Sequence, residues 1–262
     1  MTGIERIGII GGSGLSRWDA LHVTDRIEAS TRYGVPSAPL TLGRLAGHEV
    51  VFLPRHGDPH RIPPHCINYR ANIQALHDVG VRQVIAVASV GAIGAGLAAG
   101  DIVLPDQIID YTWGREHTFF DGRDDTLSHI DFTRPFDRAL RAALLACARA
   151  AGCPARDGAT YAATQGPRLE SAAEIARLQR DGAHLVGMTG MPEAALAREA
   201  GLRYAMLAVV ANDAAGTGAS TSEVAWQSAQ RSFENGLRGV LRLIEHHIAT
   251  SGSAASDLAE TT

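Results

Sequence analysis

Strand-like aliphatic runs alternate with helical patterns along the chain, and this alternation limits the possible folds more than any other feature. The runs span residues 4–10, 49–53, 84–90, 102–109 and 204–210. Short apolar runs bounded by turn residues are typical of buried strands. Strands that alternate with helices are typical of α/β proteins. We therefore predict a single α/β domain with a mixed, largely parallel central sheet flanked by helices.

The helical patterns show apolar residues at intervals of three and four. They span 67–79, 134–151, 171–182 and 192–200, followed by a last segment that begins near Ser220 and keeps its period to Ile248. Ser171 and Glu174 form the sequence of a capping box, and Ser220 and Glu223 repeat its spacing. We expect residues 1–249 to form the domain and the small, polar segment 250–262 to be disordered.

Composition excludes several classes of protein. The 262 residues carry 24 Lys and Arg against 28 Asp and Glu, a net charge of −4, which disfavours a nucleic-acid partner. No run approaches about 18 apolar residues, so we expect no membrane span, and the charged N-terminus predicts no signal peptide. Three irregularly spaced cysteines predict neither a disulfide framework nor a zinc ribbon. The expected location is the cytoplasm.

Several predicted strands end in residues that suit an anionic or polar ligand. Gly11-Gly12-Ser13-Gly14 offers backbone amides and a hydroxyl, and Arg55-His56 offers a guanidinium fork beside an imidazole. Ala88-Ser89 combines small size with a hydroxyl, Thr189 precedes a predicted helix, and Asn212 follows the last long strand. Ligands of open α/β sheets bind beyond the carboxyl ends of strands. Each segment alone also has a structural interpretation, as an ordinary turn, a solvated loop or a packed strand end.

A metal site is the competing interpretation of the second segment, because His56, His60 and His65 lie close together in sequence. Their spacing matches no established ligand pattern, and the adjacent Arg55 disfavours a cation. We expect neither a metal nor an organic cofactor. A solvated polar loop is the simplest alternative.

Taken together, the motifs resemble the methylthioadenosine phosphorylase and purine nucleoside phosphorylase family from residue 7 to about 248. They are Gly11-Gly12-Ser13-Gly14, Arg55-His56-Gly57, Asn68-Tyr69-Arg70-Ala71-Asn72, Gln165-Gly166-Pro167-Arg168 and Met188-Thr189 with Pro192-Glu193. Within this family the chain is most similar to the bacterial branch that acts on S-methyl-5′-thioinosine. Residues 111–118, 129–132 and 186–193 carry that closer likeness.

The resemblance implies a purine nucleoside phosphorylase-like fold, a homotrimer, and a nucleoside and inorganic phosphate as substrates. The phosphate-binding residues that it implies are Ser13, Arg55, His56, Ala88, Ser89 and Thr189. The nucleoside-binding residues that it implies are Leu169, Gly187, Met188, Asn212, Asp213, Ala214 and, from a neighbouring subunit, His129. Met188 would lie against the ribose, and Leu169 replaces an aromatic residue near the base.

Two departures from the family pattern bear on the substrate. Methylthioadenosine phosphorylases carry Asp-x-Asp where this chain has Asn212, Asp213 and Ala214. An amide donates to a 6-oxo group and accepts from a ring N–H, so a hypoxanthine-like base is expected unless Asp213 faces it. No histidine lies between His184 and His246, where nucleoside phosphorylases bind a 5′-hydroxyl. This absence favours a 5′-methylthio group.

The resulting hypothesis is phosphorolysis of S-methyl-5′-thioinosine in purine salvage. Phosphate attacks the anomeric carbon of an oxocarbenium-like sugar, and Asn212 acts as the catalytic residue by stabilising the departing purine. The alternatives are a methylthioadenosine phosphorylase, a broader 6-oxopurine nucleoside phosphorylase, a nucleoside hydrolase and a non-catalytic nucleoside-binding protein.

Overall fold

A computed structural model describes residues 6–12, 18–94, 96–122, 127–224 and 226–257. The strands of this part are β1 (Arg6–Gly11), β2 (His22–Ile27), β3 (Leu40–Leu45), β4 (His48–Pro54), β5 (Val81–Ala92), β6 (Ile102–Leu104), β7 (Gln107–Asp110), β8 (Ala155–Asp157), β9 (Thr160–Ala163), β10 (Leu185–Gly187) and β11 (Arg203–Asp213). The helices are α1 (Tyr69–Asp78), α2 (Arg138–Ala150), α3 (Ala172–Arg180), α4 (Gly190–Glu199) and α5 (Trp226–Asp257). A 3₁₀ turn spans Pro64–Cys66.

The strands form one mixed sheet, which confirms the predicted α/β class. Its main path runs β2-β3-β4-β1-β5-β10-β9-β7, and β11, β6 and β8 continue from the other edge of β5. The central strands β4, β1, β5 and β11 are mutually parallel, whereas β10 runs antiparallel to β5. The long aliphatic runs of the sequence thus lie at the centre of the sheet.

Strand β5 is shared between two neighbours on one edge. Strand β1 pairs with its first half as far as Ala86, and β10 pairs with Gly91 and Ala92. Strand β11 occupies the opposite edge from Gln83 to Ala92. No described strand therefore covers residues 87–90 on the first edge. The carboxyl ends of β1 and β10 meet across this opening, a place where α/β sheets bind ligands.

Both faces of the sheet are covered, and alternate residues of β5 pack into different clusters of the core. Val84, Ala86, Ala88 and Val90 belong to one cluster, in which residues of α1 and α4 also pack. Ile85 and Val87 belong to a second cluster with residues of α2 and α5. This alternation follows from the two-residue period of a strand, and burial on both faces explains why the sequence of β5 is almost continuously apolar.

The boundaries differ from prediction at informative places. The predicted strand 102–109 is wrong as a single element: it is interrupted at Pro105 and forms β6 and β7, which pair with different partners. Ser220 does not start the last helix. It is buried and donates to the backbone carbonyl of Asp213 at 2.8 Å, and α5 begins at Trp226.

Of the two other helix predictions, the start of α3 is confirmed and the end of α5 differs from the structure. The capping box of Ser171 and Glu174 is confirmed at the start of α3. Helix α5 continues to Asp257, past the predicted start of the polar tail at Thr250. The alanines and serines of that segment are compatible with a helix once a preceding helix has supplied the nucleus. Within the described residues, none of the helices combines the length and apolar character required to cross a bilayer.

Candidate functional site

A cavity of about 620 Å³ lies at the opening along β5. The elements that end there are β1, β4, β10 and β11, together with the loop that follows β9. Its lining includes Gly12, Arg55, His56, His60, Arg61, Ile62, Ala88, Ser89, Val90, Gly91, Pro167, Leu169, Glu170, Gly187, Met188, Thr189, Asn212 and Ala214. Most of the predicted site residues are thus brought together by a single feature of the sheet.

Arg55 lies at the inner wall of this cavity as half of a buried ion pair. Its Nε and Nη2 donate to the two carboxylate oxygens of Glu193 at 2.8 and 2.7 Å, and its Nη1 donates to the Val87 carbonyl at 2.8 Å. The residues are 1% and 0% exposed. Burial alone would lower the pKa of the guanidinium, but the carboxylate raises it above its usual value. Arg55 is therefore a fixed, fully charged donor.

The close approach of strand ends around Arg55 requires a small neighbour. The Arg55 amide donates to the Gly11 carbonyl at 3.0 Å, which joins the ends of β4 and β1. A Cβ atom at Gly12 would lie 3.3 Å from Arg55 Nη1. Glycine at position 12 thus leaves space for the guanidinium. Ser13, which the resemblance places at the phosphate, lies outside the described residues.

His56 and His60 form the next part of the wall. Their rings stack with centroids 4.3 Å apart, and His56 Nδ1 donates to the Ile62 carbonyl at 2.8 Å. Burial lowers the pKa of His56 to about 4. His65 is exposed and does not line the cavity. The three histidines considered as metal ligands are thus divided between a stacked pair and the surface.

Thr189 and Met188 follow β10 directly and face the same cavity. Thr189 is the N-cap residue of α4, and its amide donates to the Tyr161 hydroxyl at 3.3 Å. A Cβ atom at Gly187 would overlap that hydroxyl, so only glycine allows this approach. Burial raises the pKa of Tyr161, so its hydroxyl stays protonated. The turn between β10 and α4 is thereby held against the sheet.

Arg115 is a buried residue that holds two loops of this region together. It lies in the segment 111–118, but the sequence did not indicate this role. Its guanidinium donates to the carbonyls of Met188 at 2.9 Å, Met191 at 2.6 Å and Gln165 at 2.8 Å. It also donates to the Tyr69 hydroxyl at 3.2 Å. One side chain thus ties the loop after β9 to the turn after β10, and both loops line the cavity.

The end of β11 carries the residues expected at the base. Its register with β5 shifts between Val210 and Asn212, which leaves Ala211 as the extra residue of a bulge. Asn212 and Ala214 line the cavity, whereas the Asp213 carboxylate accepts from the Ala219 amide at 2.8 Å. Asp213 does not line the cavity. Residues 212 and 214 share a face of the strand, and the residue between them points the other way.

The remaining predicted residues have different surroundings. Ala88, Ser89 and Gly187 line the cavity, as does Leu169, which is 40% exposed. His129 is exposed and does not line the cavity of its own chain. The expected contact of His129 with a neighbouring subunit stays a prediction.

Three charged residues of the site were not selected from the sequence. Glu170 and Arg61 line the cavity, and Glu193 pairs with Arg55. Glu170 accepts from the Thr164 hydroxyl at 2.6 Å, which fixes one of its two carboxylate oxygens. Glu193 belongs to the Pro192-Glu193 motif, and Glu170 follows the Gln165-Gly166-Pro167-Arg168 motif by two residues. Only the three-dimensional arrangement reveals their partners.

Comparison with known proteins gives consistent matches along the chain. The model of the family described as "Phosphorylase superfamily" matches residues 6–245. A probable S-methyl-5′-thioinosine phosphorylase of Pseudomonas syringae pv. tomato is 46% identical over 243 residues, which cover 93% of this chain and 98% of that protein. The 6-oxopurine nucleoside phosphorylase of Pyrococcus furiosus is 45% identical over 218 residues, which cover 81% of each.

Solved structures of phosphorylases are similar to this chain in fold. The methylthioadenosine phosphorylase of Schistosoma mansoni in complex with adenine matches with a TM-score of 0.88 and 32% identity, covering 95% of this chain and 93% of that one. The fold is thus shared along almost the whole length of the chain.

Proposed function

The chain belongs to the phosphorylase superfamily, and from this premise we propose that it cleaves S-methyl-5′-thioinosine with inorganic phosphate. The products are hypoxanthine and 5-methylthioribose 1-phosphate, and inorganic phosphate is a co-substrate rather than a cofactor. The observation that carries the proposal is one cavity that joins the guanidinium of Arg55 and the ring of His56 to the amide of Asn212 and the carboxylate of Glu170. The first pair of residues suits the attacking phosphate, and the second pair suits the departing purine base.

The part of the cavity around Arg55, His56 and Thr189 suits the attacking phosphate. Arg55 is immobilised by Glu193 and Val87, so the hydrogens left on Nη1 and Nη2 have fixed directions. Thr189 lines the same corner, and its hydroxyl is a further hydrogen-bond donor for an anion. A preorganised donor set stabilises charge without reorganising during the reaction. In the proposed mechanism, phosphate is held against the anomeric carbon and balances the developing positive charge of the sugar.

The part of the cavity around Glu170 and Asn212 suits a 6-oxopurine base. Hypoxanthine has an N–H at ring position 1, whereas adenine has a bare acceptor nitrogen there. The Glu170 carboxylate accepts hydrogen bonds only, so it favours the N–H and opposes the bare nitrogen. The amide of Asn212 stabilises the negative charge that gathers on the departing base, which takes a proton from solvent. Ala214 offers no acceptor for a 6-amino group.

Phosphate dependence is the first prediction of this proposal. With methylthioinosine as substrate, hypoxanthine should be released only when inorganic phosphate is present, one base for each 5-methylthioribose 1-phosphate. Methylthioadenosine should be cleaved far more slowly, since a mismatched base leaves buried polar groups unpaired. The measurement is base release from both nucleosides and from inosine, with and without phosphate.

The possible outcomes separate the alternatives. Release without phosphate would indicate a hydrolase, and binding without turnover would indicate a nucleoside-binding protein. Equal use of inosine would favour the broader 6-oxopurine nucleoside phosphorylase, which the Pyrococcus furiosus relative supports as second candidate. Preferred release of adenine would overturn the base assignment but keep the class.

We also propose a homotrimer in which His129 of the partner subunit reaches the 5′ side of the substrate. The exposed position of His129 and the 40% exposure of Leu169 support this proposal, since both are available to a second chain. Sedimentation velocity should give about three times the 27.7 kDa mass of the chain. A mass that stays monomeric at assay concentrations would contradict it.

The proposed setting is purine salvage in the cytoplasm. Its support is that Cys66, Cys147 and Cys153 are all free thiols, as expected in a reducing compartment. Fractionation of cells followed by the phosphorolysis assay is the direct test, and activity confined to an extracytoplasmic fraction would contradict it.

A further inference from the structure

The phosphate corner, defined here as Arg55, His56 and Thr189, contains a charge that is already balanced. Arg55 makes a two-point contact with Glu193, and neither side chain is more than 1% exposed. The positive charge of the corner is therefore neutralised by a carboxylate before any anion arrives. An anion with two charges would leave this buried pair with an excess of negative charge, which is costly in a medium of low dielectric constant.

The hydrogen bond of His56 fixes which ring nitrogen is available to a ligand. The Ile62 carbonyl only accepts hydrogen bonds, so the Nδ1 atom 2.8 Å away must carry the hydrogen. In the neutral ring, Nε2 is then a bare acceptor. Burial lowers the pKa of His56 to about 4, with the nearby positive charge of Arg55 and the stacked His60 acting in the same direction and Glu193 opposing them. The Nε2 atom thus offers an acceptor at this point of the site.

This arrangement mismatches a phosphate dianion. A bare Nε2 accepts only from the single protonated oxygen of the dianion, and against any of the three other oxygens it would place two acceptors without a proton between them. The second negative charge of the dianion adds to this mismatch. The other charged groups of the described cavity lining are Arg61 and Glu170, which have opposite signs. Apart from the histidines, Arg55 and Arg61 are balanced by Glu193 and Glu170. The described groups therefore supply no net positive charge for a second phosphate charge.

We propose that phosphate binding takes up one proton, which lies between His56 Nε2 and a phosphate oxygen. No covalent bond is made or broken: a proton from solvent joins the complex, and the bound anion and His56 together carry one negative charge. The inference rests on the proposed function, because it assumes that phosphate occupies the Arg55 corner. Beyond that function, we infer that phosphate and His56 carry a total charge of −1 when phosphate is bound.

Calorimetry of inorganic phosphate binding tests the proton count directly. The titration is repeated in buffers that differ in ionisation enthalpy, and the dependence of the observed heat on that enthalpy gives the protons taken up. On the alkaline side of the second ionisation of phosphate, about one proton per phosphate is expected by linkage. On the acid side, where free phosphate already carries the proton, uptake should fall towards zero.

The outcomes distinguish this inference from the proposed function. Phosphate binding without proton uptake on the alkaline side would overturn the inference and leave phosphorolysis intact. Absence of both phosphate binding and phosphate-dependent turnover would overturn both. Sulfate is a second probe, because it remains a dianion throughout this range. Sulfate should bind with an uptake of about one proton on both sides, held by His56 alone, and its binding without uptake would also contradict the inference.

His56→Gln locates the proton. Glutamine still forms hydrogen bonds but does not titrate, so uptake on the alkaline side should fall from about one proton to near zero. His65→Gln is the matched control, since His65 is exposed in the same segment and does not line the cavity. It should keep the uptake of the unaltered protein. An uptake that survives in His56→Gln would show that another group holds the proton.

Discussion

Glu193→Leu is expected to lower phosphorolysis by roughly 10²–10³-fold, the loss typical of one preorganised electrostatic donor, and to destabilise the fold by about 3–5 kcal/mol. The reason is that this carboxylate holds Arg55 at two points, and no other carboxylate of the described residues pairs with it. Without Glu193, a buried guanidinium remains uncompensated and its direction is lost. The Tyr204 hydroxyl, which donates to Glu193 at 2.8 Å, also loses its acceptor.

A double variant separates the structural effect from the catalytic one. Arg55→Met combined with Glu193→Leu replaces the ion pair by apolar side chains of similar length. Such replacements of buried pairs are often neutral or stabilising, so the double variant should regain most of the stability lost in Glu193→Leu. Its activity should stay low, because the phosphate donor is gone. Urea unfolding at fixed protein concentration and initial rates at varied phosphate provide the two measurements.

Two results would contradict this account. An active double variant would mean that Arg55 does not bind phosphate. A Glu193→Leu protein that is as stable as the parent would mean that the ion pair contributes nothing to the fold. The kinetic constants of Glu193→Leu are a further test of whether Glu193 positions Arg55. In that variant Arg55 keeps its charge but loses its orientation, so kcat should fall by a larger factor than the phosphate KM rises.

The central fold was predictable because its signals are long. Strands β5 and β11 extend over 12 and 11 residues and are almost continuously apolar, which reveals their burial on both faces. Strands β8 and β10 have only three residues each, too few to display a period of two. Strand β10 nevertheless decides where the cavity opens. Its position depends on pairing with β5, a contact that local sequence does not encode.

The site was predictable in its residue types but not in its pairings. Arg55 and Glu193 are 138 residues apart, and each motif alone is compatible with a free side chain. Their contact requires β4 and α4 to reach the same edge of the sheet. The hydrogen bond of His56 to Ile62 likewise depends on the path of the 55–62 loop. The charge balance of the phosphate corner is therefore a property of the fold.

The Asn212–Asp213 ambiguity shows how much one bulge decides. The alternation of a strand places Asn212 and Ala214 together and Asp213 opposite, but it does not say which pair faces the ligand. The extra residue at Ala211 sets that choice. Because bulges change the facing of every later residue, a sequence without its pairing register leaves both assignments open.

Base selectivity is expected to depend most strongly on Glu170. Glu170→Gln replaces a group that only accepts hydrogen bonds by an amide that also donates. The variant should therefore tolerate the bare ring nitrogen of adenine and bind the N–H of hypoxanthine less strongly. We expect the ratio of kcat/KM for methylthioinosine over methylthioadenosine to fall by about 10–10²-fold, the effect of one hydrogen bond to a charged group.

Glu174→Gln is the matched control for this effect, since it removes the same charge four residues further along the chain. Glu174 pairs with the exposed Arg168 at 2.7 Å and does not line the cavity of about 620 Å³. Its selectivity ratio should equal that of the parent protein. An equal fall in both variants would mean that net charge near the site, rather than a contact with the base, controls the ratio.

Asn212→Asp probes the same selectivity from the other side of the base. A carboxylate at this position accepts from a 6-amino group and opposes a 6-oxo group, so the ratio should again fall. Because Glu170 and Asn212 would contact the same purine, the departure of the double variant from the sum of the two single free-energy changes measures their coupling through the base. A double variant that prefers methylthioadenosine would show that these two side chains set the base. A ratio that stays at the parental value in all three variants would show that the base is read elsewhere in the cavity.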